Sequence, residues 1–268
     1  MDYSEKILLG RTGLTVGRLG LGAAYGAPAH SFEEAFEKGC NYFYYGASRK
    51  KGMSTAVKNI CANGKRDGLV VAVQSFSRSS SYLEPSIKKA LKQLGIQYAD
   101  ILILGWHNKK PSARIIDKAL DLKERGMVRY LGLSGHNRKL FPKICNDVFD
   151  IFHVRYNAVH RGAEKDLFPE LPKKNRPGIG AFTATCWGKL LKPGNMPEGE
   201  AVLKASDCYR FAMSNPDVDI CMTGPKNAAQ MKEALKAIEL GPLDSQEMER
   251  ICRTGRHIYK KKKRFIIA

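Results

Sequence analysis

The chain has no apolar run as long as the roughly 18 residues that a membrane-spanning helix needs, so we expect no membrane insertion. Its first residues, Met1 to Lys6, lack the apolar core of a secretory signal, which favours a cytoplasmic location. Seven cysteines are scattered, and no Cys-x-x-Cys pair occurs. Their odd number and wide spacing favour free thiols in a reducing compartment, and we predict neither disulfides nor a metal site.

Acidic residues are also scarce, since 26 Asp and Glu side chains face 45 Lys and Arg and leave a net charge of +19. Such a field attracts anions, including phosphorylated ligands, nucleic acid or an anionic membrane surface. The only long basic run, Lys260–Arg264, indicates a basic C-terminal tail from about residue 260. Aromatic residues do not interleave with the basic ones, and no helix-turn-helix or zinc-finger pattern occurs. We therefore expect no specific nucleic-acid partner, whereas a protein partner is compatible with the charge.

Short apolar runs alternate with amphipathic stretches along all 268 residues, and no linker rich in glycine or serine interrupts them. Strands are predicted at 16–21, 40–45, 69–73, 100–104, 128–133, 150–154, 178–182 and 218–222. Helices are predicted at 32–38, 54–61, 82–94, 113–125, 138–146, 164–171, 200–214 and 228–239. Eight strands, each followed by a helix, predict a (β/α)₈ TIM barrel that forms a single domain over residues 1–268.

The segments Leu9–Leu14 and Arg18–Gly22 resemble the opening of an aldo-keto reductase, and the similarity continues to about residue 250. The chain is shorter than many members of that family, which predicts shortened loops over the barrel mouth. The resemblance implies an oxidoreductase that binds NADP(H) and reduces a small carbonyl compound. Members of the family carry a catalytic Asp, Tyr, Lys and His, and the tyrosine donates a proton while the cofactor delivers hydride. A phenol with a pKa near 10 needs such neighbours to act as an acid near neutrality.

This chain departs from that tetrad at every position. The matching residues are Tyr44 for the aspartate, Arg49 for the tyrosine, Gln74 for the lysine and Gly105 for the histidine. If the segment is aligned on Gly52 instead, Lys51 takes the place of the tyrosine. The usual proton relay is therefore absent.

Two hypotheses follow for the vacant tetrad. In the first, the catalytic residues are Tyr44, His107 and a basic cluster at Arg49–Lys51. A cation beside a phenol favours phenolate and lowers the pKa of the phenol. Since side chains alternate along a strand, Tyr44 should point inward and Tyr45 outward. In the second, these aromatic residues only fill the mouth, and the chain is a catalytically inactive NADP(H)-binding barrel, a sensor or regulatory subunit. A different barrel activity, or binding of an anionic surface, is a third alternative.

The nucleotide-binding half of the family pattern is better preserved. The resemblance assigns cofactor contacts to Gly22, Ser134, His153, Phe182, Thr183, Gly188, Gly224, Lys226, Gln230 and Glu233. His153 stands where a glutamine usually binds the carboxamide, and Phe182 where an aromatic residue stacks on nicotinamide. Lys226 lies near a helix start, where a cation and free backbone N–H groups suit a 2′-phosphate. This favours NADP(H) over NAD(H).

Overall fold

The computed structural model describes residues 2–46 and 51–267, with side chains described as far as residue 261. A closed barrel of eight parallel strands forms its centre. The strands are β3 (Leu19–Gly22), β4 (Tyr42–Tyr45), β5 (Val70–Ser75), β6 (Ala99–Leu104), β7 (Val128–Gly135), β8 (Ile151–Arg155), β9 (Gly178–Phe182) and β10 (Ile220–Thr223). The barrel closes where Cys221 of β10 pairs with Leu19 of β3. The predicted (β/α)₈ barrel is confirmed.

A two-stranded hairpin, β1 (Ile7–Leu8) and β2 (Thr15–Val16), precedes the barrel. The single first strand predicted over 16–21 was therefore wrong, because Val16 belongs to this hairpin and the barrel strand starts at Leu19. Leu9 in the hairpin loop lies next to Gly178 at the start of β9, which is the N-terminal end of the strands. The hairpin therefore closes the end of the barrel opposite to the βα loops.

Helices surround the strands. They are α1 (Ala29–Glu37), α2 (Lys51–Ala62), α3 (Ser80–Leu94), α4 (Ala113–Glu124), α5 (Ala163–Asp166), α6 (Ala205–Met213), α7 (Ala228–Glu239) and α8 (Ser245–Ile267). The helix predicted over 138–146 was wrong, because this segment forms two short 3₁₀ turns, and Pro142 lacks the N–H that a continuous helix would use. The helix predicted over 164–171 is limited to the single turn of α5 and a 3₁₀ turn. The predicted start at residue 200 was also wrong, since α6 begins at Ala205.

The core has two layers, as the alternation of side chains along a strand requires. In β8, Ile151 faces the barrel interior, while Phe152 and Val154 pack against the surrounding helices. The same alternation in the other strands places one row of side chains inside the barrel and the other beneath the helices. The polar residues of a site are therefore expected at the C-terminal ends of the strands, where the βα loops begin.

Helix α8 includes the basic run Lys260–Arg264 near the C-terminus. The chain remains helical from Ser245 through Ile267, and Ile251, Thr254 and Ile258 are buried on its inner side. A Cβ at Gly255 would lie 2.1 Å from the carbonyl oxygen of Ala158, so a glycine is needed for this close approach. Among the helices in the described part of the chain, none is long and apolar enough to cross a membrane.

Candidate functional site

A cavity of about 790 Å³ opens at the C-terminal ends of the barrel strands. The ten residues predicted to contact the cofactor all line it, and these are Gly22, Ser134, His153, Phe182, Thr183, Gly188, Gly224, Lys226, Gln230 and Glu233. They come from four strands, two loops and helix α7, so only the barrel closure brings them together. Tyr44 and Gln74 line the same cavity.

The start of α7 forms one end of the cavity. The side-chain oxygen of Asn227 caps the helix by accepting a hydrogen bond of 2.9 Å from the backbone N–H of Gln230. The side chain of Gln230 in turn accepts from the backbone N–H of Lys226 at 2.9 Å. Lys226 is exposed, and no carboxylate among the described residues forms an ion pair with it. A free ammonium group at a helix N-terminus attracts an anion.

Glu233 lies one turn further along α7 and connects it to α6. One of its carboxylate oxygens accepts a hydrogen bond of 2.7 Å from the hydroxyl of Ser206, and the other lies 3.2 Å from the ammonium group of Lys236. The carboxylate is therefore held in a fixed position at the cavity wall. Its charge is largely compensated by these two partners.

Two glycines, Gly224 in the loop before α7 and Gly188 in the loop before α6, line the cavity. A Cβ at Gly224 would lie 2.3 Å from the ring of Tyr25, which also lines the cavity. Gly188 has a φ of 78°, a left-handed conformation that side chains other than glycine adopt at a cost. Both glycines therefore shape the wall of the cavity.

The floor of the cavity is a neutral hydrogen-bond network. The hydroxyl of Tyr44 donates to Oε1 of Gln74 at 2.6 Å, and the hydroxyl of Ser134 donates more weakly to the same oxygen at 3.4 Å. The Nε2 group of Gln74 is buried and has no hydrogen-bond partner in the described structure. Burial raises the pKa of Tyr44 above its ordinary value. Tyr44 therefore stays protonated at neutral pH.

The predicted orientation of the two tyrosines is confirmed. Tyr44 faces the cavity, whereas the hydroxyl of Tyr45 points outward, 2.9 Å from the hydroxyl of Ser54 on α2 and 3.0 Å from Oε1 of Gln93 on α3. Strand alternation alone produces this result, because consecutive residues of β4 must face opposite sides.

Gln74 and Gly105 stand at the lysine and histidine positions of the family, and the side chain of Gln74 leaves no room for a side chain at position 105. A Cβ at Gly105 would lie 2.5 Å from Nε2 of Gln74 and 2.9 Å from the ring of Phe76. The amide of Gln74 thus occupies the volume that any larger side chain at position 105 would need. Two departures from the tetrad are therefore linked in space.

His153 lies beside Tyr44, with ring centroids 5.4 Å apart. Its Nε2 atom is 2.8 Å from the hydroxyl of Tyr42, which belongs to the layer beneath. Burial lowers the pKa of His153 to about 4, so the ring is neutral at physiological pH. A neutral imidazole fixed at one nitrogen offers the other nitrogen, Nδ1, for a single hydrogen bond.

The structure does not bring the other predicted catalytic residues to this cavity. Nε2 of His107 lies 3.2 Å from a guanidinium nitrogen of Arg78, and His107 is not among the lining residues. Burial, and secondly Arg78, lower the pKa of His107 to about 4, so it is a neutral acceptor for Arg78. Lys51 begins α2 as an exposed residue outside the lining. Arg49 and Lys50 lie outside the described residues.

Several aromatic residues at the cavity mouth were not predicted as site residues from the sequence. They include Tyr25, Phe76, Trp106 and Trp187, together with His136. Trp106 is 61% exposed and Trp187 is 55% exposed, and both have positive φ values. Large exposed aromatic side chains are the signal that identifies such a surface, but exposure is visible only in three dimensions. The two tryptophans of the chain both line the cavity, so their fluorescence reports on its occupancy.

Metal-ligating groups of three or more His, Cys, Asp or Glu side chains do not occur in residues 2–46 and 51–267. The polar groups of the cavity are instead hydroxyls, amides, imidazoles, the carboxylate of Glu233 and the ammonium groups of Lys204 and Lys226. This set is suited to an organic anion with polar and aromatic parts.

Comparisons with known proteins agree with this architecture. A model of the aldo/keto reductase family matches residues 27–196, well over half of the chain, and the chain belongs to this family. The apo form of the aldo-keto reductase AKR11C1 from Bacillus halodurans is 19% identical, with a TM-score of 0.75 over 93% of this chain and 95% of that chain. An aldo/keto reductase from Klebsiella pneumoniae, solved with NADP and acetate, is 17% identical, with a TM-score of 0.74 over 93% and 95%. At these identities the solved structures show a shared fold. No curated protein matches the chain.

Proposed function

We propose that the chain binds NADP(H) in this cavity and acts as an NADP(H)-dependent oxidoreductase on a small carbonyl compound. The observation that supports the proposal most strongly is the convergence of all ten predicted cofactor residues on one cavity. The relative from Klebsiella pneumoniae, which is similar in fold, is described in complex with NADP and acetate. When bound, the dinucleotide supplies the hydride.

The side chains of the cavity fit such a ligand at both ends. Lys226 and the free N–H groups at the start of α7 hold the 2′-phosphate, since the ammonium group has no competing carboxylate among the described residues. Phe182 provides an aromatic surface for the nicotinamide ring. Nδ1 of His153 and the hydroxyl of Ser134 provide polar contacts for the carboxamide. No resident metal enters this assignment.

Tyr44 is poorly suited to donate the proton that carbonyl reduction needs. An acid works best when its pKa lies near the operating pH, whereas burial moves the pKa of Tyr44 in the opposite direction. Its hydroxyl proton is directed to Gln74 at 2.6 Å, and among the described residues no cation hydrogen-bonds to the phenol. The proton for carbonyl reduction therefore comes from water rather than from Tyr44, and we expect slow turnover.

The same observation favours a second candidate function, a nucleotide-binding barrel without carbonyl reduction that acts as a sensor or regulatory subunit. A phenol that keeps its proton and is engaged with an amide is a structural group rather than an acid. Both candidates require NADP(H) binding, and they differ only in turnover.

Two assays test and separate these functions. In the first, quenching of tryptophan emission by NADPH and by NADH is compared for the natural chain, Lys226→Glu and Lys232→Glu. Lys232 is an exposed residue of the same helix outside the cavity, so it is a matched control for charge. In the second, oxidation of NADPH is followed with a panel of aldehydes and ketones. Tight binding without any oxidation supports the sensor, and absence of binding removes both candidates.

A further inference from the structure

Arg155 is a charged residue beside the cavity that the nucleotide-binding pattern does not explain. It contacts Trp187, which lines the cavity, but is not itself a lining residue. It ends strand β8, in which Ile151 and His153 face the barrel interior while Phe152 and Val154 face the helices. Because side chains alternate along a strand, Arg155 continues the inner row directly above His153. Its partner in the neighbouring strand is Phe182. Arg155 therefore lies next to Phe182 and His153, at the strand ends beside the part of the cavity proposed to hold nicotinamide.

Arg155 has no counter-ion among residues 2–46 and 51–261. The carboxylates of the adjoining segments are engaged elsewhere, with Asp166 at 2.7 Å from Arg138 and Glu164 at 2.8 Å from Arg161. Burial, and secondly Arg138, lower the pKa of Arg155. The nitrogen atoms of Arg155 are not among the buried polar atoms that lack a partner, so they remain accessible to water or to an anion. The position therefore favours an anionic ligand.

The groups around Arg155 orient it without using its hydrogen-bond donors. Its guanidinium carbon lies 5.9 Å from the ring centre of Trp187, a cation–π contact. Burial, and secondly Arg155, lower the pKa of His136, whose ring lies edge-on to that of Phe182 at 5.7 Å. Trp187, His136 and Phe182 all line the cavity. A guanidinium fixed beside aromatic rings, with its N–H groups unbonded in the described structure, suits a planar oxyanion on an aromatic or apolar body.

We propose that Arg155 binds the carboxylate or phosphate of a second ligand, so that the carbonyl substrate of this barrel carries an acidic group. This inference rests on the proposed function, because it places the second ligand beside a bound cofactor. The cofactor has its own cationic contact, Lys226, which lies after β10, two strands away from β8. Arg155 is thus left for the substrate and acts as a specificity-determining residue.

Benzoate and its neutral counterpart benzamide test this assignment. Their affinities are measured by calorimetry for the chain saturated with NADP⁺ and for the free chain. The variants are Arg155→Met, which keeps the stem against Trp187 without the charge, and Arg155→Lys, which keeps the charge. We expect the natural chain to prefer benzoate to benzamide. Arg155→Met should weaken benzoate binding about tenfold or more, as expected for loss of a charge-assisted hydrogen bond. Arg155→Lys should lose less, and binding of benzamide and NADPH should not change.

Three results would overturn the assignment. The first is a natural chain that shows no preference for benzoate over benzamide. The second is an equal loss of both probes in Arg155→Met, which indicates a steric role. The third is a loss of NADPH affinity in Arg155→Met as large as that of benzoate, which would assign the guanidinium to a cofactor phosphate. If NADPH itself fails to bind, the proposed function is wrong, while the benzoate titration of the free chain still tests the anion site.

Discussion

The steric link between Gln74 and Gly105 predicts a strong coupling between substitutions at these positions. In Gly105→Ala the new Cβ would lie 2.5 Å from Nε2 of Gln74, so the amide must swing away. That movement breaks the partly buried 2.6 Å hydrogen bond from Tyr44. Overpacking and loss of a buried hydrogen bond each cost about 1–3 kcal/mol, and we expect Gly105→Ala to destabilise the fold by about 2 kcal/mol.

In the Gln74→Ala background the same Cβ meets no amide, and only the ring of Phe76 at 2.9 Å remains close. The cost of Gly105→Ala should then fall below about 1 kcal/mol, which gives a coupling energy of at least about 1 kcal/mol. Urea unfolding of the four proteins, followed by far-ultraviolet circular dichroism, measures this double-mutant cycle. If the two single costs add to within about 0.5 kcal/mol, the two positions are independent and the steric argument is wrong.

Further predictions concern the floor of the cavity. Tyr44→Phe leaves Oε1 of Gln74 with only the 3.4 Å contact from Ser134. Thermal melts should show a loss of about 1–2 kcal/mol, and unchanged stability would contradict the network. Because burial lowers the pKa of His153 from 6.5 to about 4, the unfolded chain takes up the proton first as pH falls. Stability should therefore decline from about pH 6.5 to about pH 4, more gently in His153→Gln, and equal slopes would refute this. Any NADPH oxidation should be nearly independent of pH between about 5 and 9, since neither Tyr44 nor His153 titrates there. A bell-shaped profile in that range would reveal a different acid.

The sequence predicts the barrel well because each strand is a short apolar run with a helical stretch behind it. Strand β9 and helices α3 and α7 lie within two residues of the predicted bounds. The segment 138–146 was misjudged because its apolar spacing suits a helix, while Pro142 interrupts the hydrogen bonds. The hairpin at β1 and β2 was missed because two-residue strands leave almost no periodic signal.

In the candidate site, too, some residues could be predicted from the sequence and others could not. The positions of Gly224 and Lys226 at the cavity were predictable, because both belong to one contiguous motif. The position of His107 was not predictable. It lies three residues beyond the end of β6, where the loop sets the direction of the chain, and its ring contacts Arg78 outside the cavity lining. The exclusion between Gln74 and Gly105 was also hidden, since it depends on side-chain volumes across neighbouring strands.

The central claim is that the cavity binds NADP(H), with Lys226 as the contact for the 2′-phosphate. Titration of tryptophan emission with NADPH tests it most directly, because Trp106 and Trp187 both line the cavity. We predict saturable quenching that is tighter for NADPH than for NADH. It should be weakened about fivefold or more in Lys226→Glu and unchanged in Lys232→Glu. Emission that does not respond to either dinucleotide, even at about millimolar concentration, would contradict the account.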